Sequence, residues 1–249
     1  MRRGLRAVGN DIVDLKEPQS LGKSCDGRFL ERVFSAEERG RIAAASCPDT
    51  LLWALWAAKE AAYKCVSRGD PRVVSIPRRY PVILDPQEDR QGKDADGCAS
   101  YEGHVLTPRG DVALRIRATD QYVHALAAPS GAALLGIVQG VTGVDGDGAD
   151  QAGRASAVVR RLLAREIARR LGCSAPDLTI SPAGSGAPGV FLRGRPLAVG
   201  ISLSHDGRFA AFALDGDSLP RQAAFLSDQP PHRVVVGKDL PEDQQQDHR

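Results

Sequence analysis

The chain has 249 residues, 42% hydrophobic and 26% charged, with a formal net charge of +2, a globular composition that excludes a global electrostatic field for nucleic acid and allows one large domain or two small ones. Its five cysteines, Cys25, Cys47, Cys65, Cys98 and Cys173, are odd in number and lack C-x-x-C spacing, which argues against a zinc or redox pair and for reduced thiols in a cytoplasm. Met1-Arg2-Arg3-Gly4-Leu5-Arg6 is positive but leads into no apolar run, so neither a signal peptide nor a membrane span is expected.

The first half opens with a short strand over 7–13 and a polar stretch to Asp26. A helical segment from Phe29 towards Ala45 follows, within which Ser35-Ala36-Glu37-Glu38 has capping-box spacing. Leu51, Leu52, Leu55, Ala58, Ala62 and Val66 recur at three- and four-residue steps, predicting a second helix capped by Asp49 or Thr50 and ending near Arg68-Gly69-Asp70-Pro71. The period then shortens. Strand-like runs at 80–84, 101–106, 112–117 and 122–127, with turns at 108–111 and 119–121, predict an antiparallel meander. One more strand is expected at 134–138, before a stretch so rich in Gly and Asp that it reads as a linker over 139–153.

The second half starts with a helix over 156–171, buried through Val158, Leu162, Leu163, Ile167 and Leu171 and ended by Gly172. Beyond it come Leu178-Thr179-Ile180, a Gly184-Ser185-Gly186 loop, and strands over 199–204 and 208–214 joined at Asp206-Gly207, a pair suited to a tight hairpin. The fold class is therefore α+β: two similar units, each a small antiparallel sheet packed with helices, in a pseudo-twofold arrangement. The divisions are 1–138, linker 139–153, 154–215, and a tail over 216–249 expected to be disordered.

Three elements carry chemistry. Glu60 and Lys64 stand one helical turn apart in Trp56-Ala57-Ala58-Lys59-Glu60 and its extension; alone they read as a solvated ion pair, but Trp56 on the same edge implies a poorly solvated carboxylate. Asp11 and Asp14, in Gly9-Asn10-Asp11-Ile12-Val13-Asp14-Leu15, read alone as strand-end acids that accept backbone amides, whereas Asp11 with Glu60 supplies the few carboxylates Mg²⁺ prefers. Ser202, Ser204 and His205 lie at a strand end, where the hairpin holds the imidazole outward and favours an anionic partner. Arg160, Arg161, Arg165, Arg169 and Arg170 form a wet helix face on the plainest reading, with Arg160 best placed for phosphate. No G-x-x-x-x-G-K-[ST] loop exists, and His104 and His124 read as sheet residues.

Taken together, these elements resemble the 4′-phosphopantetheinyl transferases, which move the pantetheine arm of coenzyme A onto carrier-protein serines. The resemblance covers 7–130 and 154–214. It implies that Asp11 and Glu60 are Mg²⁺ ligands, that Glu60 and Lys64 act in catalysis, and that Ser204, His205 and Arg160 hold coenzyme A phosphates. The motif order is that of the compact holo-acyl-carrier-protein synthases, in a longer chain with two units, so a monomer is expected with its site across the seam. Val13 replaces a third acid of larger members, and Ala187 replaces a lysine whose loss Arg195 would have to offset. Two rival readings are a non-catalytic member that binds coenzyme A or a carrier protein, and a Mg²⁺-dependent pyrophosphate hydrolase.

Overall fold

The computed structural model describes residues 7–68, 70, 72–86, 98–145, 150–182 and 187–219; the 184–186 loop and the tail from 220 lie outside them. Strand β1 (Gly9–Asp14) leads, through two short 3-10 turns, to helices α1 (Gly27–Val33) and α2 (Ala36–Ala44). The single helix predicted here is two, because Ser35 is extended (φ −65°, ψ 167°) in order to cap α2. Its hydroxyl accepts from the Glu38 amide while Glu38 Oε2 accepts from the Ser35 amide.

Helix α3 (Pro48–Ser67) opens on proline rather than on a cap at Asp49. The Asp49 carboxylate instead accepts the Gly22 and Ser24 amides at 2.7 Å each, tying down the preceding turn. The meander follows as β2 (Val82–Leu84), β3 (Ala99–Val105), β4 (Val112–Ala118) and β5 (Tyr122–Ala128). The five strands pair antiparallel in the order β1-β5-β4-β3-β2, and α3 covers β1 and β5.

A strand was expected at 134–138. The chain instead forms a short helix, α4 (Gly131–Leu135), capped by the Ser130 hydroxyl, and then β6 (Ile137–Gly143), which pairs antiparallel with the last strand of the chain. Strand therefore enters the glycine-rich stretch, where Gly140 leaves room for the Phe212 ring. Helix α5 (Gln151–Leu171) ends at Gly172, φ 68°. β7 (Leu178–Pro182), β8 (Pro188–Leu192) and β9 (Arg195–Leu197) make a small sheet, and β10 (Ile201–Asp206) and β11 (Phe209–Asp215) pair in the order β10-β11-β6. In each half an opening strand pairs with the closing strand: Asp14 faces Tyr122 as Gly143 faces Phe209.

One core lies between α3 and the first sheet, a second between α5 and the other two sheets. The alternation along β1 joins them. Val13 turns into the first core, and Gly9 meets α3 so closely that a Cβ there would lie 1.9 Å from the Ala61 carbonyl oxygen. Asn10 and Asp14, on the opposite face, bond to the second half across β10.

Candidate active site

Because Gly9 lets α3 seat on β1, the helix residues that flank the contact reach the strand's acid. Lys64 Nζ donates to Asp11 Oδ1 at 2.7 Å and to the Asn10 carbonyl at 3.1 Å. Lys64 therefore pairs with Asp11 rather than with Glu60 one turn back. Glu60 Oε1 accepts from the Ser75 hydroxyl at 3.3 Å. The Trp56 ring packs on Phe29 and Trp53, with centroids 5.8 and 6.3 Å away.

Burial pushes the Asp11 carboxyl above its ordinary value, against the charge and hydrogen bond of Lys64. Burial, and then the charge of Asp11, raise Glu60 in the same way, with Lys64 and Ser75 pulling back. The Asp11 charge thus disfavours a second negative charge on Glu60. Among the described residues no group of three or more His, Cys, Asp or Glu side chains gathers as metal ligands. Asp11 and Glu60 are the carboxylates here that could share a cation.

Across the seam, a cavity of about 320 Å³ is lined by Lys64 from the first half and, from the second, by Arg160, Pro188, Leu203, Ser204 and His205 among others. Four of the sequence-selected residues therefore share one hollow, at whose edge Lys64 touches Asp11. His205 is exposed at the cavity wall. Arg160 is held against Ser156 one turn earlier on α5, an oriented cation on the wall. Arg195, out on β9, is not among the lining residues. Val13 lies 5% exposed in the core and provides no third ligand.

Asn10 and Arg208, which build this site, have no counterpart among the sequence candidates. The Asn10 amide donates to Ser202 Oγ at 3.1 Å, and Asn10 Nδ2 donates to Ser204 Oγ at 2.8 Å and lies 3.2 Å from His124 Nε2. Ser202 is thus a buried seam contact rather than a cavity residue. The Asp14 amide donates to Asp206 Oδ2, and Arg208 clamps the Asp14 carboxylate. Gly207, between them, has φ +47°, and a Cβ there would meet both Asp14 and Glu17. The available signal was the period-two placement of Asn10 and Asp14 on one face of a strand otherwise apolar on that side.

Comparison with known families bears on the half that carries Asp11, Glu60 and Lys64. Residues 7–126, just under half of the chain, match the family model described as 4′-phosphopantetheinyl transferase superfamily. More particularly, the chain is 29% identical over 120 residues to the holo-[acyl-carrier-protein] synthase of Laribacter hongkongensis (strain HLHK9), an alignment covering 48% of this chain and 92% of that one. Ser204, His205 and Arg160 lie beyond the family match. No helix among the described residues is long and apolar enough to cross a membrane.

Proposed function

We propose that the chain transfers the 4′-phosphopantetheine arm of coenzyme A to a serine of an apo-acyl or apo-peptidyl carrier protein, releasing adenosine 3′,5′-bisphosphate. The observation that carries this reading is the seam itself, which sets Asp11 and Lys64 against a cavity lined by Arg160, Ser204 and His205. The acids supply one side of a diphosphate site and the cations the other. The two halves are read as pseudo-twofold units of one monomer, supported by the antiparallel pairing of opening and closing strand in each. Position for position, Gly140 faces the fourth residue of β11 as Asp11 faces the fourth of β5, so only one seam carries the acid.

Asp11 and Glu60 fit Mg²⁺, since two carboxylates without a full protein cage are what a small hard cation accepts when phosphate oxygens and water complete its shell. Bound there, the ion would neutralise charge on the diphosphate oxygens. His205 and Arg160 hold the nucleotide-side phosphates, and the Ser204 hydroxyl, fixed by Asn10, orients them. The acceptor serine gives its proton to Glu60, or to water that Glu60 orients, a role suited to a carboxyl whose basicity burial has raised. The serine oxygen bonds to the phosphorus as the bond from that phosphorus to the bridging diphosphate oxygen breaks. Lys64 stabilises the charge on the departing bisphosphate.

The test is intact-mass analysis of apo-carrier proteins incubated with the enzyme, coenzyme A and Mg²⁺. A pantetheine adduct is expected with the wild type and none with Glu60→Gln, a nearly isosteric change that removes the charge. No adduct on any member of a panel of acyl and peptidyl carriers would sink the reading.

A further inference from the structure

Glu60 has a second neighbourhood, away from the cavity. Between α3 and β2 the chain passes Arg72, Val73, Val74, Ser75, Ile76, Pro77, Arg78, Arg79 and Tyr80. Val73 and Tyr80 turn into the core, while Val74 and Ile76 are 53% and 42% exposed, among the few large aliphatic side chains that water reaches so freely. The strip is fastened beside the site. Ser75, between those two side chains, donates to Glu60, and the Tyr80 hydroxyl donates to the Val74 carbonyl at 3.1 Å.

The charge on the strip is also uncommitted. Arg72 is taken up by Asp70, which Arg109 also meets, but Arg78 and Arg79 are exposed and have no ion pair among the described residues. Two aliphatic side chains on either side of a hydroxyl bound to the base, followed by two free guanidinium groups, match an acidic protein surface with an apolar tip. A nucleotide does not need them: the cavity reaches Lys64 from the second half, and neither Glu60 nor any residue of the strip lines it. We propose that Val74, Ile76, Arg78 and Arg79 form the docking edge for the protein that brings the acceptor serine, with apolar contact at the first pair and acidic side chains against the second. This rests on the transfer reading above and adds where the macromolecular substrate sits.

The experiment is steady-state transfer with apo-acyl carrier protein as the varied substrate, for wild type, Val74→Ser/Ile76→Ser and Arg78→Glu/Arg79→Glu. Thermal melts check that these exposed changes leave the fold intact. Both variants are expected to raise the KM for carrier, the arginine pair tenfold or more, with kcat and the KM for coenzyme A within twofold of wild type. Only the arginine pair should flatten the salt dependence of carrier KM. Carrier KM unchanged in both variants overturns the docking edge and leaves transfer standing. Coenzyme A KM rising as much as carrier KM overturns it too, while no transfer by the wild type to any carrier overturns both readings.

Discussion

Asp14 and Arg208, 194 residues apart in sequence, close the two halves on each other: the guanidinium donates to both carboxylate oxygens at 2.8 and 2.7 Å, and the Arg208 amide donates to Oδ2 at 2.9 Å. Burial alone would lift the Asp14 carboxyl, but the Arg208 bonds and the Lys16 amide hold it below the ordinary carboxylate range. This pair locks the β10–β11 turn, and His205 leads directly into that turn. Asp11 lies three residues before Asp14 on β1. The clamp therefore sets the spacing between the acid side and the histidine side of the site.

Asp14→Ala is accordingly expected to cost about 2 to 3 kcal/mol, the scale of hydrogen bonds to a buried charged group, read by denaturant unfolding. It should also raise the KM for coenzyme A more than it lowers kcat, since the loosened hairpin carries phosphate ligands rather than the base. A stability loss with unchanged coenzyme A KM would show that the clamp does not align the site.

Gly9→Ala tests the seating of α3. The added methyl would meet the Ala61 carbonyl oxygen and the Cys65 amide nitrogen, both backbone atoms that cannot rotate away. Overpacking of this kind costs roughly 1 to 3 kcal/mol or more, and relief requires α3 to lift from β1, carrying Glu60 and Lys64 away from Asp11. Lower thermal stability together with lost transfer is expected. Full activity in a stable Gly9→Ala protein would mean that the helix and strand need not touch for the site to form.

Much of this was readable from local pattern because local physics fixes it. The capping box at Ser35 and Glu38 and the left-handed end at Gly172 each depend on a few adjacent residues and formed where they were expected, while the hairpin expected at Asp206-Gly207 turns one residue later, at Gly207-Arg208, because Asp206 still pairs with Phe209. The 134–138 region differed because Ser130 caps a turn of helix that apolar runs alone cannot distinguish from strand. Residues such as Asn10, His124 and Arg208 gain meaning only from partners more than 80 residues away. No spacing rule reaches that far, which is why a site across the seam could be expected while the residues that close the seam, Asn10, His124 and Arg208, could not be named.

Lys59, adjacent to Glu60 in the motif, has a separate role. Its ammonium is 1% exposed and donates to both Glu38 oxygens and to the Tyr80 carbonyl, while Glu38 also accepts the Ser35 and Val82 amides. Burial pulls the Lys59 pKa down and Glu38 opposes the shift. Lys59→Met strands the Glu38 charge and should cost about 3 to 5 kcal/mol, much of which Glu38→Gln/Lys59→Met recovers. Measured at low temperature, where the double variant stays folded, transfer should persist. Loss of transfer in a folded double variant would instead place Lys59 in the chemistry.

His124 supplies a pH test that needs no substrate. It is 3% exposed, beside Asn10 at the seam, and burial pushes its pKa down from 6.5 to about 4, against a hydrogen bond with Gln139 that favours the charged ring. Folded protein keeps the ring neutral until the pH approaches 4, whereas the unfolded chain takes up the proton from 6.5 downward, so unfolding gains a proton in that window. Stability should be flat in this contribution above pH 6.5, fall by roughly 3 kcal/mol as the pH drops, and level off once both states are protonated. Guanidinium melts across the window, on wild type and His124→Gln, check the sign. The variant is expected to be less stable near pH 7, where it loses a packed ring, but to lose less on acidification. Parallel pH profiles for the two proteins would remove His124 as the source of acid sensitivity.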